Sequence, residues 1–345
     1  MTGQSIGRGR KPKPGRITFV GSGPGDPGLL TTRARNVLAN ATLVFTDPDV
    51  PDAVLALAGC DLPPAAGPAP ATNGSAPAKA AAQGTDGSAA ANGAEPAADG
   101  AAATATATLV TGGAEVRPAL GDPAEVAKTL AAEARTGVDV VRLVTGDPLS
   151  IDSVIAEVTA LAKTHLNFEI VPGLPDTTAV PTYAGLPLGS SHTVADVRAD
   201  VDWESLAAAP GPLILHATPS HLSDAARTLI EHGLLESTPT VVTANGTTCQ
   251  QRSVETTLGG LLDKSLLETP VGPELAPGPL SGPLVVTIGK TVAHRAKLNW
   301  WESRALYGWT VLVPRTKDQA PEMSERLIAH GATPIEVPTI AVEPP

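Results

Sequence analysis

"RITFVGSGPGDPGLLTTRA", residues 16–34, decides the fold. Its β-branched and aromatic run Ile17–Val20 reads as a buried strand. Gly21, Gly23 and Gly25 then turn the chain, and a helical pattern follows over about residues 28–38. A strand entering a helix through a glycine-rich turn opens a βαβ unit, and such turns commonly cradle a phosphate. This turn does not fit that ligand. The dinucleotide fingerprint needs glycine at its first, third and sixth positions; Gly21 and Gly23 supply two, but Asp26 stands at the sixth. A carboxylate at a helix mouth repels pyrophosphate, and Pro24 removes one of the amides that would bind it. No Gly-Lys-Ser/Thr follows, so it is not a Walker loop either. The turn is suited to close backbone approach by a neutral or cationic small molecule.

The tripeptide Gly-Asp-Pro occurs three times, at 25–27, 121–123 and 146–148, each time ahead of a helical pattern. Asp at the N-cap with Pro at the first helical position is an ordinary helix start. Capping accounts for 121–123. The other two directly follow buried strands and so lie at the carboxyl edge of a sheet, where open α/β folds bind ligands. There, capping and ligand binding are both open.

The totals bound the function. A net charge of −11 and a pI near 5.1 argue against nucleic acid or an anionic membrane as partner. Aromatic residues make up 3% of the 345, too few for a base-stacking platform. Cys60 and Cys249 offer neither a disulfide framework nor metal-ligand spacing, which suits the reducing cytoplasm. No apolar run reaches the ~18 residues of a membrane span. Residues 1–15 are basic without the apolar core of a signal peptide and read as a disordered arm.

Further strands are expected at 43–45, over "VDVVRLV" and "NFEIV", and near 213–216, 240–244 and 284–288, with helices between them. Residues 63–107 collapse into Ala, Gly, Pro, Thr and Ser, which cannot offset their ordering entropy, and read as a low-complexity insert within a domain. The segment 293–308 reads as a linker or capping helix, with Trp300 and Trp301 as a packing plug. Residues 309–345 form one strand–helix–strand unit, which cannot bury its own faces and so reads as the truncated start of a further domain.

"VGSGPGDPGLLTTRA", "VFTDPDV", "VVRLVTGDP", "VPGLPDTTAVPTYAGLPL" and "NGTTCQQRSVETTL" occur in this order. Together they resemble the tetrapyrrole methylase family, in particular its uroporphyrinogen-III C-methyltransferases, over residues 16–292. The tail from Gly308 resembles the first strand–helix–strand of uroporphyrinogen-III synthase, as in fused methyltransferase/synthase proteins. The resemblance implies a two-lobed α/β methylase fold, with a lobe change near 175–190, homodimeric, and binding S-adenosylmethionine between the lobes. It implies methylation of uroporphyrinogen III to precorrin-2, on the way to sirohaem or cobalamin. The donor's sulfonium is cationic and carries no phosphate, in keeping with the loop. On this likeness Pro24, Gly146, Asp147 and Gly246 contact the donor, Asp47 is the proton acceptor, and no metal is needed. Thr247, Thr248, Gln251 and Arg252 keep the pattern around Gly246.

Several positions depart from the pattern. Thr145 replaces the first glycine of the Gly-Gly-Asp donor loop, and "LSIDSV" replaces the run that should follow it. Pro175 and Asp176 stand where Thr and a small residue belong, Gly189, Ser190 and Ser191 replace Thr-His-Arg with His192 displaced, and Ala217 replaces a methionine. The family's proton-donor lysine has no counterpart; its region holds the insert, whose lysine is Lys79. A substrate with eight carboxylates calls for arginines and lysines. The alternative is thus a non-catalytic methylase module serving as scaffold for the synthase domain. Synthase activity, the cyclisation of hydroxymethylbilane with inversion of ring D, is not expected of these 345 residues. Arg315 would otherwise help hold substrate carboxylates, and reads equally as a solvated loop residue. Cys249 has no base or metal partner in sequence and reads as structural.

Overall fold

The computed structural model describes residues 13–58, 113–263, 265, 280, 282–316 and 319–337. The insert at 63–107 with Lys79, Cys60, and most of the basic arm lie outside the described residues.

The N-terminal lobe is built on five parallel strands, β1 (Ile17–Gly21), β2 (Leu43–Thr46), β3 (Glu115–Pro118), β4 (Val140–Val144) and β5 (Phe168–Val171). Their order is β3-β2-β4-β1-β5. Strands β1 and β4 are buried along their whole length because helices cover both faces, which is why they read as continuous apolar runs. Val20, Val44, Val141 and Leu143 point toward α1 (Thr32–Ala39) and α2 (Asp52–Leu55). Ile17, Phe19, Phe45 and Val144 point the other way, toward α3 (Pro123–Arg135) and α4 (Asp152–Ala162). The chain leaves β1 for β2 on one side and leaves β4 for β5 on the other. A crevice therefore opens between the carboxyl ends of these two neighbouring strands.

Helix α1 begins at Thr32 rather than near Gly28. Residues Pro27–Leu29 form a separate 3₁₀ turn capped by Asp26, and Thr31 then caps α1 by accepting from the Ala34 amide at 3.1 Å. Two caps in succession divide what the residue pattern presents as one helix.

Helix α5 (Asp176–Tyr183) carries the chain into the second lobe. There β6 (Thr193–Asp196), α6 (Trp203–Ala207), β7 (Leu213–Ala217), α7 (Pro219–Glu231), β8 (Pro239–Ala244), β9 (Arg252–Thr257) and β10 (Leu284–Ile288) follow. The sheet order is β6-β7-β10-β8-β9, with only β6 and β7 parallel. One face, with Leu213, Leu215 and Ala217, packs in a core with α6 and α7. On the opposite face Ile214 and Val285 pack against Val180 of α5.

A short helix, α8 (Arg295–Leu298), precedes a run of turns in which Trp301 is buried. The chain continues through β11 (Thr310–Val313), α9 (Ala320–Ala329) and β12 (Thr333–Glu336), a parallel βαβ unit.

Candidate functional site at the lobe junction

The glycine turns after β1 and β4 are bonded to each other. Gly23 and Gly146 exchange backbone hydrogen bonds of 3.3 and 3.0 Å, both at a φ of +69° that favours glycine. The turn after β5 completes the junction. A Cβ on Gly21 would lie 2.5 Å from both the Gly146 carbonyl oxygen and the Gly173 amide nitrogen, and one on Gly173 would lie 2.0 Å from the same Gly146 oxygen. Three turns thus meet backbone to backbone because none carries a side chain at the crossing.

The three Gly-Asp-Pro aspartates now separate. Asp122 is a cap and nothing more, accepting from the Ala124 amide at 2.8 Å. Asp26 caps too, from Gly28 at 2.7 Å, but its other oxygen accepts from the Tyr183 hydroxyl at 3.0 Å. Asp147 caps nothing; its Oδ1 accepts from the Gly173 amide at 3.0 Å, tying the β4 turn to the β5 turn. Next to Gly146, the Thr145 hydroxyl is buried without a protein partner.

The second lobe closes on this junction through residues 245–251. The Asp26 amide donates to Thr247 Oγ1 at 3.1 Å, and a Cβ on Gly25 would lie 3.3 Å from the Gly246 carbonyl. Gly246 is pressed on Val180, with room for no side chain: a Cβ there would be 2.3 Å from Val180 Cγ2. Asn245 and Thr247 hold left-handed φ values of 50° and 66°, a conformation that needs external support. Gln251 supplies it, accepting from the Thr247 amide at 2.8 Å and donating to Glu302 at 3.0 Å. Glu302 also accepts from Ser253 Oγ at 2.6 Å and pairs with the buried Arg295, while Trp301 Nε1 donates to the Thr248 carbonyl at 2.9 Å. Trp300 and Trp301 pack edge on face and Tyr183 is tilted against both, with the Arg304 guanidinium 3.8 Å from the Trp301 ring centroid. The segment expected to link modules therefore braces the 245–251 loop. Cys249 is half-buried in that loop, and burial pushes its thiol up, away from the reactive thiolate.

Asp47 stands at the carboxyl end of β2. Its Oδ1 lies 2.6 Å from Nη2 of the buried Arg142, which also makes two 2.9 Å hydrogen bonds to Glu157. Burial alone would lower the Arg142 pKa, but the Glu157 hydrogen bond and the Asp47 charge outweigh it and leave the guanidinium raised. Glu157 escapes a motif search, yet the pattern does carry a signal: Val154, Glu157 and Leu161 form the buried stripe of α4. A carboxylate at a helical core position requires a buried cation.

Across the junction, Asp176 opens α5 and lies 3.5 Å from Nε2 of His216 on β7. Arg198 binds Asp196 through two contacts of 2.8 and 2.6 Å. Spacing along the chain gives no hint of the Asp176–His216 pair. The one available signal is that Asp176 sits where the sequence departs from the family pattern. Pro24, Gly146, Asp147 and Gly246 are brought together at the lobe junction, with Asp47 at the carboxyl end of β2, paired to the β4 arginine. His192 is exposed. A cavity of about 620 Å³ lies at the opposite, amino end of β1 and β4, among Lys13, Arg16 and Arg33. Both arginines there already pair with Glu169, and none of these site residues lines it.

Residues 16–262 match the family described as Tetrapyrrole (Corrin/Porphyrin) Methylases. The chain is 28% identical over 300 residues to a siroheme synthase of Edwardsiella ictaluri, covering 84% of this chain and 53% of that protein. It is 26% identical over 338 residues to the uroporphyrinogen-III C-methyltransferase of Bacillus subtilis, covering 94% of this chain and 58% of that one. The chain thus spans about half the length of these curated relatives. The crystal structure of uroporphyrin-III C-methyltransferase from Thermus thermophilus, complexed with S-adenyl homocysteine, shares the fold. The TM-score is 0.56 at 22% identity, over 81% of this chain and 99% of that one.

Proposed function

The chain belongs to the tetrapyrrole (corrin/porphyrin) methylases, and on that premise we propose that it transfers methyl groups from S-adenosylmethionine to uroporphyrinogen III, yielding precorrin-2. The observation that carries this reading is the buried Thr145 hydroxyl, which has no protein partner and stands at the carboxyl end of β4 beside the three turns that pack backbone to backbone. A buried hydroxyl without a protein partner is suited to a ligand that hydrogen-bonds there, and Asp26 beside it disfavours a phosphate. When bound, S-adenosylmethionine supplies an electrophilic methyl on a cationic sulfonium. Pro24, Gly146, Asp147 and Gly246 hold the donor, with Asp147 fixing the β4 turn against the β5 turn. Asp47, oriented by Arg142, takes up a proton from the substrate. We place the working unit as a homodimer, and read β11–α9–β12 as the start of a uroporphyrinogen-III synthase domain.

One observation favours a second reading, a donor-binding module without turnover. Arg198 is already bound to Asp196, and the charges of Asp176 and Asp49 also act on it. A porphyrinogen with eight carboxylates would meet this acidic surround. Calorimetric titration with S-adenosylmethionine and S-adenosylhomocysteine, followed by labelled methyl transfer to reduced uroporphyrinogen III, separates the two. Micromolar binding with transfer that Asp47→Asn abolishes is the expected result. Binding without transfer selects the second reading, and no binding by folded protein overturns both.

A further inference from the structure

We propose that His216, paired with Asp176, is a second proton-accepting group, beside the three-turn junction. The inference rests on the methyl-transfer reading and extends it to two residues that the family pattern does not assign. Strand β7 alternates its faces: Leu213, Leu215 and Ala217 enter the core with α6 and α7, whereas Ile214 lies on the face that meets α5. His216, two residues beyond Ile214, shares that second face and reaches the amino end of α5. There Nε2 is 3.5 Å from Asp176 Oδ1, with both side chains about one-fifth exposed (19% and 22%). The pair borders the three-turn junction, because Asp176 Oδ1 lies 2.9 Å from the position a Gly146 Cβ would take.

The groups facing His216 come from each neighbouring element. Asp176 faces it from α5, Asp196 pairs with it in register on β6, and Val285 opposes it on β10. Arg198 is held by Asp196 rather than by Asp176. One carboxylate thus stands beside one ring nitrogen, and the proton-accepting role is assigned to the other, Nδ1. A carboxylate behind an imidazole orients the ring and stabilises the imidazolium once formed.

A pyrrole carbon of the substrate forms the new C–C bond with an electron pair from its π-system, while the S–CH₃ bond breaks and leaves its pair on a neutral thioether. Each of the two transfers leaves the substrate one positive charge richer and releases one proton, so two protons leave, one to Asp47 and the other to His216. The resulting imidazolium is paired with Asp176 and returns the proton to solvent.

The test begins without turnover. Uroporphyrin III, a stable oxidised analogue of the substrate, is titrated into the full chain by fluorescence, and histidines are then labelled with diethyl pyrocarbonate and mapped by peptide mass spectrometry. Bound uroporphyrin III is expected to slow labelling of His216 several-fold and to leave the exposed His232, at the end of α7, unchanged. Equal labelling of His216 with and without bound uroporphyrin III overturns the proposal, whether or not any variant folds. In single-turnover transfer, His216→Gln is expected to be about 100-fold slower at unchanged S-adenosylhomocysteine affinity. His216→Ala should regain rate with added imidazole, a rescue that a purely structural role would not give. Wild-type rates in His216→Gln refute the role of His216 and leave the methyltransferase reading intact. A wild type that neither binds uroporphyrin III nor transfers methyl refutes that reading itself, and His216 falls with it.

Discussion

The turns at 121–123 and 146–148 have the same three residues, Gly-Asp-Pro, yet they do different things. The first lies between β3 and α3, where a Cβ on Gly121 would touch nothing within 4 Å and Asp122 satisfies the amide of its own helix. The second leaves a central strand of a fully parallel sheet. Its glycine is bridged to Gly23, its aspartate turns away from the helix, and its backbone is crossed by Gly173. A tripeptide specifies a turn, and the sheet decides what the turn faces. At the edge, the first residue is glycine only for its φ of +107°. At the junction, glycine is needed for conformation at 146 and for space at 21 and 173.

The largest expected effect separates those two reasons. Gly173→Ala places a methyl on backbone that cannot yield, 2.0 Å from the Gly146 oxygen. It should cost about 3 kcal/mol by urea unfolding, as overpacking does, and abolish donor binding. Gly121→Ala meets open space and pays only for its positive φ, about 1–2 kcal/mol, with S-adenosylhomocysteine binding by calorimetry unchanged. Equal losses of stability and equal binding in the two variants would break the distinction.

The aspartates sharpen it. Asp122→Ala removes a helix cap and should cost about 1 kcal/mol of stability with no change in donor affinity. Asp147→Ala removes no cap, but frees the β5 turn from the β4 turn. We expect roughly tenfold weaker S-adenosylhomocysteine binding, equivalent to about 1.4 kcal/mol, as the Gly173 amide loses its acceptor. A stability loss without an affinity loss in Asp147→Ala would make it one more structural turn.

The same contrast explains what the sequence makes legible. The central strands are readable because burial on both faces writes them as unbroken apolar runs, as in Ile17–Gly21 and Val140–Val144. Of the edge strands, β5 is read from "NFEIV" but β3, β6 and β9 are not; Arg252–Thr257 is polar and half-exposed, and only pairing with β8 makes it a strand. The turns of the proposed donor site are legible through their glycines. The Asp176–His216 pair is not, because the two residues are joined only by the packing of α5 on the second sheet. The bracing of residues 245–251 by Gln251, Trp301 and Glu302 depends likewise on contacts across about 50 positions, which no local pattern encodes.

The third Gly-Asp-Pro copy lies between the two cases, and the smallest prediction concerns it. Asp26 both caps its turn and accepts from Tyr183, so it joins the lobes through one hydroxyl. Tyr183→Phe should cost about 1 kcal/mol, the net worth of one hydrogen bond, and leave the cap intact. Its pH dependence identifies the bond. Burial, and then the Asp26 charge, raise the Tyr183 phenol above its ordinary value of 10.0. The unfolded chain therefore releases this proton first, and the stability that the neutral phenol contributes is complete below pH 10 and lost as pH climbs toward the raised folded value. Tyr307 is raised in the same direction, chiefly by burial, but is present in both proteins and cancels in the difference. The stability gap between wild type and Tyr183→Phe, followed by urea unfolding from about pH 8 to about pH 11, should hold steady and then narrow as the phenol's ordinary range is passed. A gap that is constant across that range would mean that the Tyr183 hydroxyl is no more protected in the fold than in the unfolded chain, and that Asp26, like Asp122, is only a cap.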